Sequence, residues 1–329
     1  MGPCVQNVTW EKTLQALIWN GQELRREANY VQPVLREGNA VVKVSLAGIC
    51  STDLQIFRGY MDFRGVPGHE FVGTVSAGPD RWLGRRVVGE INFGCGRCDF
   101  CRRNLGRHCP TRSVMGILNA DGAFAEYVSI PVANLHDVPS NVSDEEAVFT
   151  EPLAAAFQIP RQVQINPGDE ILILGDGKLG FLCVQALKLT GATVTAVGKH
   201  AEKLDAIRRC AVRTIRLDEW KPKSFDLVVD ATGSVSGLQV AMSAVRPRGT
   251  LVLKSTIAEK HHIWLAPLVI HEITVVGSRC GPFAEALRAL AEKCVAVTPL
   301  IEKIYPLAEG VEAVAHASRP EARKILLRC

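Results

Sequence analysis

The sequence predicts an α/β chain in which a doubly wound parallel sheet is joined to a smaller, mostly-β domain. Three observations lead there. The chain has 329 residues, enough for about two domains of roughly 150 residues each. Its first 150 residues carry short β-type runs broken by glycine, whereas from Glu170 onward apolar strands alternate with helical segments. A glycine-rich turn, Gly175-Asp176-Gly177-Lys178-Leu179-Gly180, lies between an apolar run and a helical one.

The elements follow in order. Val41–Val44, Phe71–Val75 and Arg86–Gly89 read as short strands of an irregular β domain with long functional loops. The texture changes near Pro152. Ile171–Leu174 is an apolar strand, Leu179–Leu189 a helix and Ala192–Val197 the next strand. Asp226–Asp230, Gly249–Leu253 and Ile273–Val276 continue the series. Near-continuous apolar strands separated by amphipathic helices fit a parallel sheet covered on both faces. The tail after about Phe283 holds a helix and ends in a last strand, Lys324–Leu327. No internal repeat or low-complexity tract interrupts this order.

Composition excludes several classes. Hydrophobic residues make up 47% and charged residues 22%, a balance that suits a packed core and excludes a disordered or collagen-like chain. The net charge of +4 is spread without a basic block, so no nucleic-acid partner is expected. No apolar run reaches the roughly 18 residues that span a bilayer, and no membrane partner is expected either. The start, Met1-Gly2-Pro3-Cys4-Val5-Gln6, has neither signal-peptide order nor a myristoylation pattern. The expected location is cytoplasmic, and Asn7-Val8-Thr9 is not expected to be glycosylated. Cysteine usage agrees: eleven is an odd number, and four of them fall close together, which suggests metal rather than disulfides.

Those four form Cys95-x2-Cys98-x2-Cys101-x7-Cys109. Four thiolates satisfy tetrahedral zinc and leave no open position, so the role is structural. An iron–sulfur cluster accepts the same ligands, but the surrounding sequence points to zinc. Arg97, Asp99, Arg102 and Arg103 interleave with the ligands and mark an exposed lobe. A second set is scattered: Cys50 with Thr52 and Asp53, His69 beside Glu70, and Glu151 just before the change in texture. Each is weak alone; together, in this order, they read as catalytic metal ligands with their supporting groups. The third signal is the GxGxxG turn after an apolar strand, the context in which that motif binds a dinucleotide. Gly175 makes the tight turn, Gly177 lets backbone approach a pyrophosphate, and Gly180 lets helix and strand pack closely. Lys178 and Leu179 open the helix, whose backbone N–H groups meet the phosphates.

Taken together, GICSTD, GHEFVGTV, CGRCDFCRRNLGRHC, DGAFAEYV, TEPLAAA, GDGKLG and DATG resemble the zinc-containing medium-chain dehydrogenase/reductase family, of the alcohol and polyol dehydrogenase type. The resemblance covers nearly the whole chain. It implies a GroES-like catalytic domain over 1–153 with the zinc lobe at 95–109, a Rossmann domain over 154–284, and a return to the catalytic domain over 285–329. It implies two zinc ions, one catalytic and one structural, and a homodimer or homotetramer. Cys50 and His69 match catalytic-zinc ligands, while Glu70 and Glu151 share the remaining carboxylate duty. Thr52 matches the hydroxyl that takes the substrate proton. Asp53 matches the carboxylate that orients the ligand imidazole, a role with its own physical rationale. The implied reaction moves a hydride between a secondary alcohol or polyol, or the matching carbonyl, and a nicotinamide cofactor, with zinc as Lewis acid. The absence of a junction cysteine points to the polyol and threonine-dehydrogenase branch.

Two positions depart from the family pattern. Many relatives carry His five residues after the ligand cysteine, whereas this chain has Gln55, which cannot titrate. At the end of the second Rossmann strand, Gly198 stands where an acidic residue normally binds the ribose 2′-hydroxyl. Lys199, His200 and Lys203 follow it, so NADP is expected in preference to NAD. Ser278 and Arg279 follow the strand expected beside the nicotinamide, where Arg279 either contacts cofactor or substrate or lies at the surface, and Lys324 matches the late basic residue that reaches the pyrophosphate in relatives. His261-His262 looks like another metal site but reads as solvated, and Cys4, Cys183, Cys210, Cys280, Cys294 and Cys329 have no ligand spacing. Tyr60, Phe63 and Phe93 are expected near a substrate cleft. The alternative function is a zinc- and nucleotide-binding pseudoenzyme or redox sensor without turnover.

Overall fold

Strand Asn39–Gly48 is the element on which the first unit is built. Its Val41, Val42, Val44 and Leu46 are buried, and Lys43 alone among its residues is exposed. Both of its edges are paired: Glu70–Ala77, Tyr127–Pro131 and Lys324–Arg328 all pair with it antiparallel. Glu70–Ala77 pairs on to Arg86–Gly89, which pairs to Leu135–Asp137. β-branched residues suit such a strand because they pack on a pleated surface. The computed structural model describes residues 13–255 and 262–329; Cys4, Asn7 and His261 lie outside them.

The second unit is organised by a six-stranded sheet. Its order is Arg213–Arg216, Thr193–Gly198, Glu170–Leu174, Phe225–Asp230, Val245–Leu253, Thr274–Gly277, and every pair is parallel. In chain order this is 3-2-1-4-5-6, the doubly wound arrangement of dinucleotide-binding sheets. The central strands Glu170–Leu174 and Phe225–Asp230 carry apolar runs, Ile171–Leu174 and Leu227–Val229, because both faces are covered, and helices Lys178–Lys188, Ala201–Arg208 and Val235–Ala244 connect the strands. The edge strand Arg213–Arg216 was not expected. Its residues Arg-Thr-Ile-Arg are only half-buried or exposed, so it lacks the apolar run by which its neighbours are legible.

The chain divides into two compact units: Met1–Val138 with Lys303–Ser318 and Ile325–Cys329, and Pro139–Glu302 with Arg319–Lys324. These borders differ from the expected ones at 153/154 and 284/285. Thr150–Gln162 is one helix running through the first expected border. Pro152 sits in its first turn, where a missing N–H costs nothing. Helix Phe283–Ala291 packs against it, which keeps residues beyond 285 in the second unit. Among the described residues, no helix is long and apolar enough to cross a membrane.

Leu172, Leu174, Val197, Val228, Val245 and Leu251 form a buried core of the parallel sheet. Leu172 is fully buried. Leu172→Ala is therefore expected to destabilise the second unit by about 2–5 kcal/mol, the usual cost of such a truncation. Denaturant unfolding followed by circular dichroism measures it.

Candidate active site

Strand pairing assembles the first cluster. Gly48 lies opposite Glu70 in the antiparallel register, so Cys50, just past one strand, and His69, just before the other, arrive at the same sheet end. Gly68 makes the entry possible: its φ is +94°, and a Cβ there would stand 2.3 Å from the Phe124 ring. Ligand atoms of Cys50, His69 and Glu70 lie within 4.8 Å of one another. His69 and Glu70 are buried and Cys50 is half-buried.

Asp53 ties this cluster together. Its Oδ2 accepts from the Cys50 backbone N–H at 2.8 Å, and its Oδ1 stands 3.2 Å from His69 Nδ1. Neither of the latter two atoms has a hydrogen bond of good geometry, so their contact is chiefly electrostatic. With Nδ1 facing Asp53, Nε2 is the nitrogen available to a metal. Burial opposes a charge on His69, but the Asp53 carboxylate and Cys50 sulfur outweigh it and hold its pKa well above the ordinary value. A sulfur, an imidazole and a carboxylate brought together in this way are a donor set that fits zinc. Thr52 Oγ1 lies 3.7 Å from Cys50 Sγ. Gln55 is half-buried on the same short helix, Ser51–Ile56. Of the aromatic residues expected near a cleft, Phe63 is buried, while Tyr60 and Phe93 are half-buried.

The sulfur atoms of Cys95, Cys98, Cys101 and Cys109 also lie within 4.8 Å of one another. Tetrahedral zinc with bonds of about 2.3 Å accommodates such a set. The lobe is anchored by the short pairing of Asn92–Phe93 with Ser113–Val114. The Thr111 hydroxyl, then the Cys95 N–H, bring the Cys109 thiol down to about 6, whereas burial pushes Cys101 up to about 11. The described cysteines form no disulfide. Burial raises the thiol of Cys183 to about 11 and that of Cys329 to about 12.

The glycine turn behaves as its motif requires. Gly175 has φ +116°, and a Cβ on it would stand 2.6 Å from the Ala231 carbonyl oxygen. A Cβ on Gly180 would stand 2.0 Å from the Gly175 oxygen, whereas one on Gly177 meets nothing within 4 Å. The first two constraints come from the protein itself; the third leaves room for a ligand. Lys178 and Leu179 are half-buried at the start of helix Lys178–Lys188. On the neighbouring strand, Asp230 Oδ1 accepts from the Thr232 N–H and hydroxyl at 3.0 and 2.7 Å, which shapes the DATG turn.

Residues 36–140 match the alcohol dehydrogenase GroES-like domain, and residues 179–295 match the zinc-binding dehydrogenase domain. The chain belongs to the zinc-type medium-chain dehydrogenase/reductase family. The dehydrogenase is 28% identical to D-arabinitol dehydrogenase 1 of Uromyces fabae over 321 residues, covering 90% of this chain and 91% of that protein. Among solved structures it is similar to an alcohol dehydrogenase from Escherichia coli complexed with NADH, with a TM-score of 0.89, 25% identity, and 97% and 100% of the two chains covered. A zinc-binding dehydrogenase-type protein from Sinorhizobium meliloti, bound to NADP, gives 0.88 at 25% identity with 97% and 100% covered. Its two units are thus the GroES-like and Rossmann domains of that family.

Other expected residues are placed less simply. Glu151 is half-buried at the start of helix Thr150–Gln162, in the second unit. Arg279 is exposed, and its carbonyl oxygen accepts from Lys254 Nζ at 3.3 Å. Lys324 is buried, with Nζ 5.6 Å from the centre of the Phe149 ring. His262 is exposed.

Two residues escaped sequence reasoning. Lys254 is buried, and its Nζ also reaches the Ala155 oxygen at 2.7 Å; burial lowers its pKa. A lysine ending the apolar run Leu251–Leu253 was the available signal. Asp176, inside the glycine motif, fills the space beside Gly198: a Cβ on Gly198 would lie 2.5 Å from Asp176 Oδ2. The expected preference for NADP assumed that no carboxylate stands there, and that premise is corrected.

Metal analysis of the pure dehydrogenase is expected to give two zinc ions per chain. Cys98→Ser should lose one and lower thermal stability, because structural zinc contributes folding energy. Gly180→Ala should cost about 1–3 kcal/mol through overpacking and weaken dinucleotide binding, as seen by thermal unfolding and titration calorimetry.

Proposed function

We propose that this dehydrogenase transfers a hydride between a secondary alcohol or polyol, or the matching carbonyl, and a nicotinamide dinucleotide. The observation that carries the reading is Asp53 holding both the Cys50 backbone and the His69 ring beside a buried Glu70. A site built only to bind zinc has no need of Thr52 next to it, which argues against a pseudoenzyme or redox sensor. Similarity to an arabinitol dehydrogenase supports the polyol class.

Cys50, His69 and Glu70 would hold the catalytic zinc, with Glu151 the other carboxylate that the family resemblance offers. Cys95, Cys98, Cys101 and Cys109 would hold the structural one. When bound, the zinc would supply Lewis acidity and the nicotinamide hydride chemistry. Asp53 fixes the tautomer and orientation of His69 through Nδ1. Thr52 takes the substrate proton; its position beside Cys50 Sγ, at 3.7 Å, supports this. Gln55 can orient water but cannot carry the proton onward. Gly175, Gly177, Lys178, Leu179 and Gly180 receive the pyrophosphate, and Arg279 contributes from the sheet end. The exposed Trp264, Val269 and Ile270 near the edge strand Thr274–Gly277 support self-association as a homodimer or homotetramer, since bare edges and apolar patches are usually covered.

Absorbance at the nicotinamide band with a panel of alcohols, polyols and ketones tests the function; no turnover with any of them, at full zinc loading, would leave the pseudoenzyme reading standing. Thr52→Ala is expected to slow turnover by about 10²–10⁴, the range for a positioned proton-transfer group. Gln55→Ala should cost far less. Comparing kcat of the two variants with wild type checks both statements, and equal losses would make Gln55 part of the relay.

A further inference from the structure

The end of strand Thr193–Gly198 is where a dinucleotide-binding sheet ordinarily presents a carboxylate to the ribose hydroxyls. Gly198 has no side chain to offer. The space is nonetheless filled by Asp176, which comes from the turn after the neighbouring strand Glu170–Leu174. Asp176 Oδ2 accepts from the backbone N–H groups of Lys199 and His200 at 2.7 and 2.6 Å. The His200 ring nitrogen Nδ1 stands 3.1 Å from both carboxylate oxygens. A Cβ at 198 would come within 2.5 Å of Asp176 Cβ and Oδ2, so Gly198 and Asp176 are complementary: the glycine is what lets the aspartate in.

We propose that Asp176 sets nucleotide specificity in this dehydrogenase, its carboxylate taking the place of the missing acid at 198 and selecting a ribose 2′-hydroxyl over a 2′-phosphate, so that NAD(H) is preferred. This rests on the reading of the second unit as a dinucleotide site. Of the three basic residues that would receive a 2′-phosphate, Lys199 is exposed and the other two have partners within the protein. His200 faces Asp176, and Lys203 Nζ donates to the Pro320 oxygen at 2.6 Å. The two backbone N–H groups that could bind a phosphate already bind Asp176. A 2′-phosphate would have to displace a carboxylate held by these donors or stand beside it, like charge against like charge. A hydroxyl can instead donate to Oδ1, the oxygen that leaves both backbone N–H groups to Oδ2 and faces the His200 ring.

The test is titration of the purified, zinc-loaded protein with NADH and with NADPH, reading Kd for wild type, Asp176→Asn and Asp176→Ala. Wild type is expected to bind NADH at least about tenfold more tightly, a modest outcome for one like-charge contact. Asp176→Asn keeps an oxygen for the Lys199 and His200 N–H groups but removes the charge. It should close most of that gap by tightening NADPH, with Asp176→Ala moving the same way; thermal midpoints identify any variant that misfolds. Tighter binding of NADPH by wild type overturns the proposal without need of a variant. An unchanged ratio in both folded variants also overturns it. If wild type binds neither dinucleotide, the failure is that of the dinucleotide site itself, and the specificity proposal falls with it.

Discussion

Antiparallel pairing of Asn39–Gly48 with Glu70–Ala77 is the constraint from which the chemistry of the first unit follows. The register is fixed by the other strands that pair with the same central one. With Gly48 fixed opposite Glu70, the chain has little choice about where Cys50 and His69 go. Asp53 then joins the two segments from a single short helix, one oxygen to each. A metal entering this site meets ligands whose directions are already set, which lowers the cost of ordering them.

The second unit solves a different problem with equally little backbone. Parallel strands leave all their carboxyl ends on one side of the sheet, and loops after them must turn sharply without filling that side. Gly175 and Gly180 allow the turn and the close approach of helix to strand. The same parallel pairing sets Leu174 beside Val197 and Asp230, bringing the glycine turn, the Gly198 end and the DATG turn together. Asp176 reaches Lys199 and His200 because these strands are neighbours.

Much of this was legible in the residues. The parallel strands showed as apolar runs because burial on both faces demands them; the polar edge strand Arg213–Arg216 did not, since an edge tolerates Arg and Thr. The cysteine lobe was legible because its four ligands are local, and the structure brings their sulfurs together. The scattered set was legible only as a conjunction of short motifs. The borders of the two compact units fall elsewhere than the expected ones, because the change of texture near Pro152 lies inside the single helix Thr150–Gln162, whose first turn tolerates a proline.

By itself, the sequence determined the fold class, a doubly wound parallel sheet joined to a mostly-β domain, and the four clustered cysteines of the lobe. These follow from periodicity, composition and local spacing, which neighbouring residues specify. Only the tertiary structure decided which carboxylate faces which group. Gly198 reads as an absent acid until strand pairing shows Asp176 lying against it. Charge and hydrogen bonding act through space, and residues distant in sequence come within their range only after the sheet has formed.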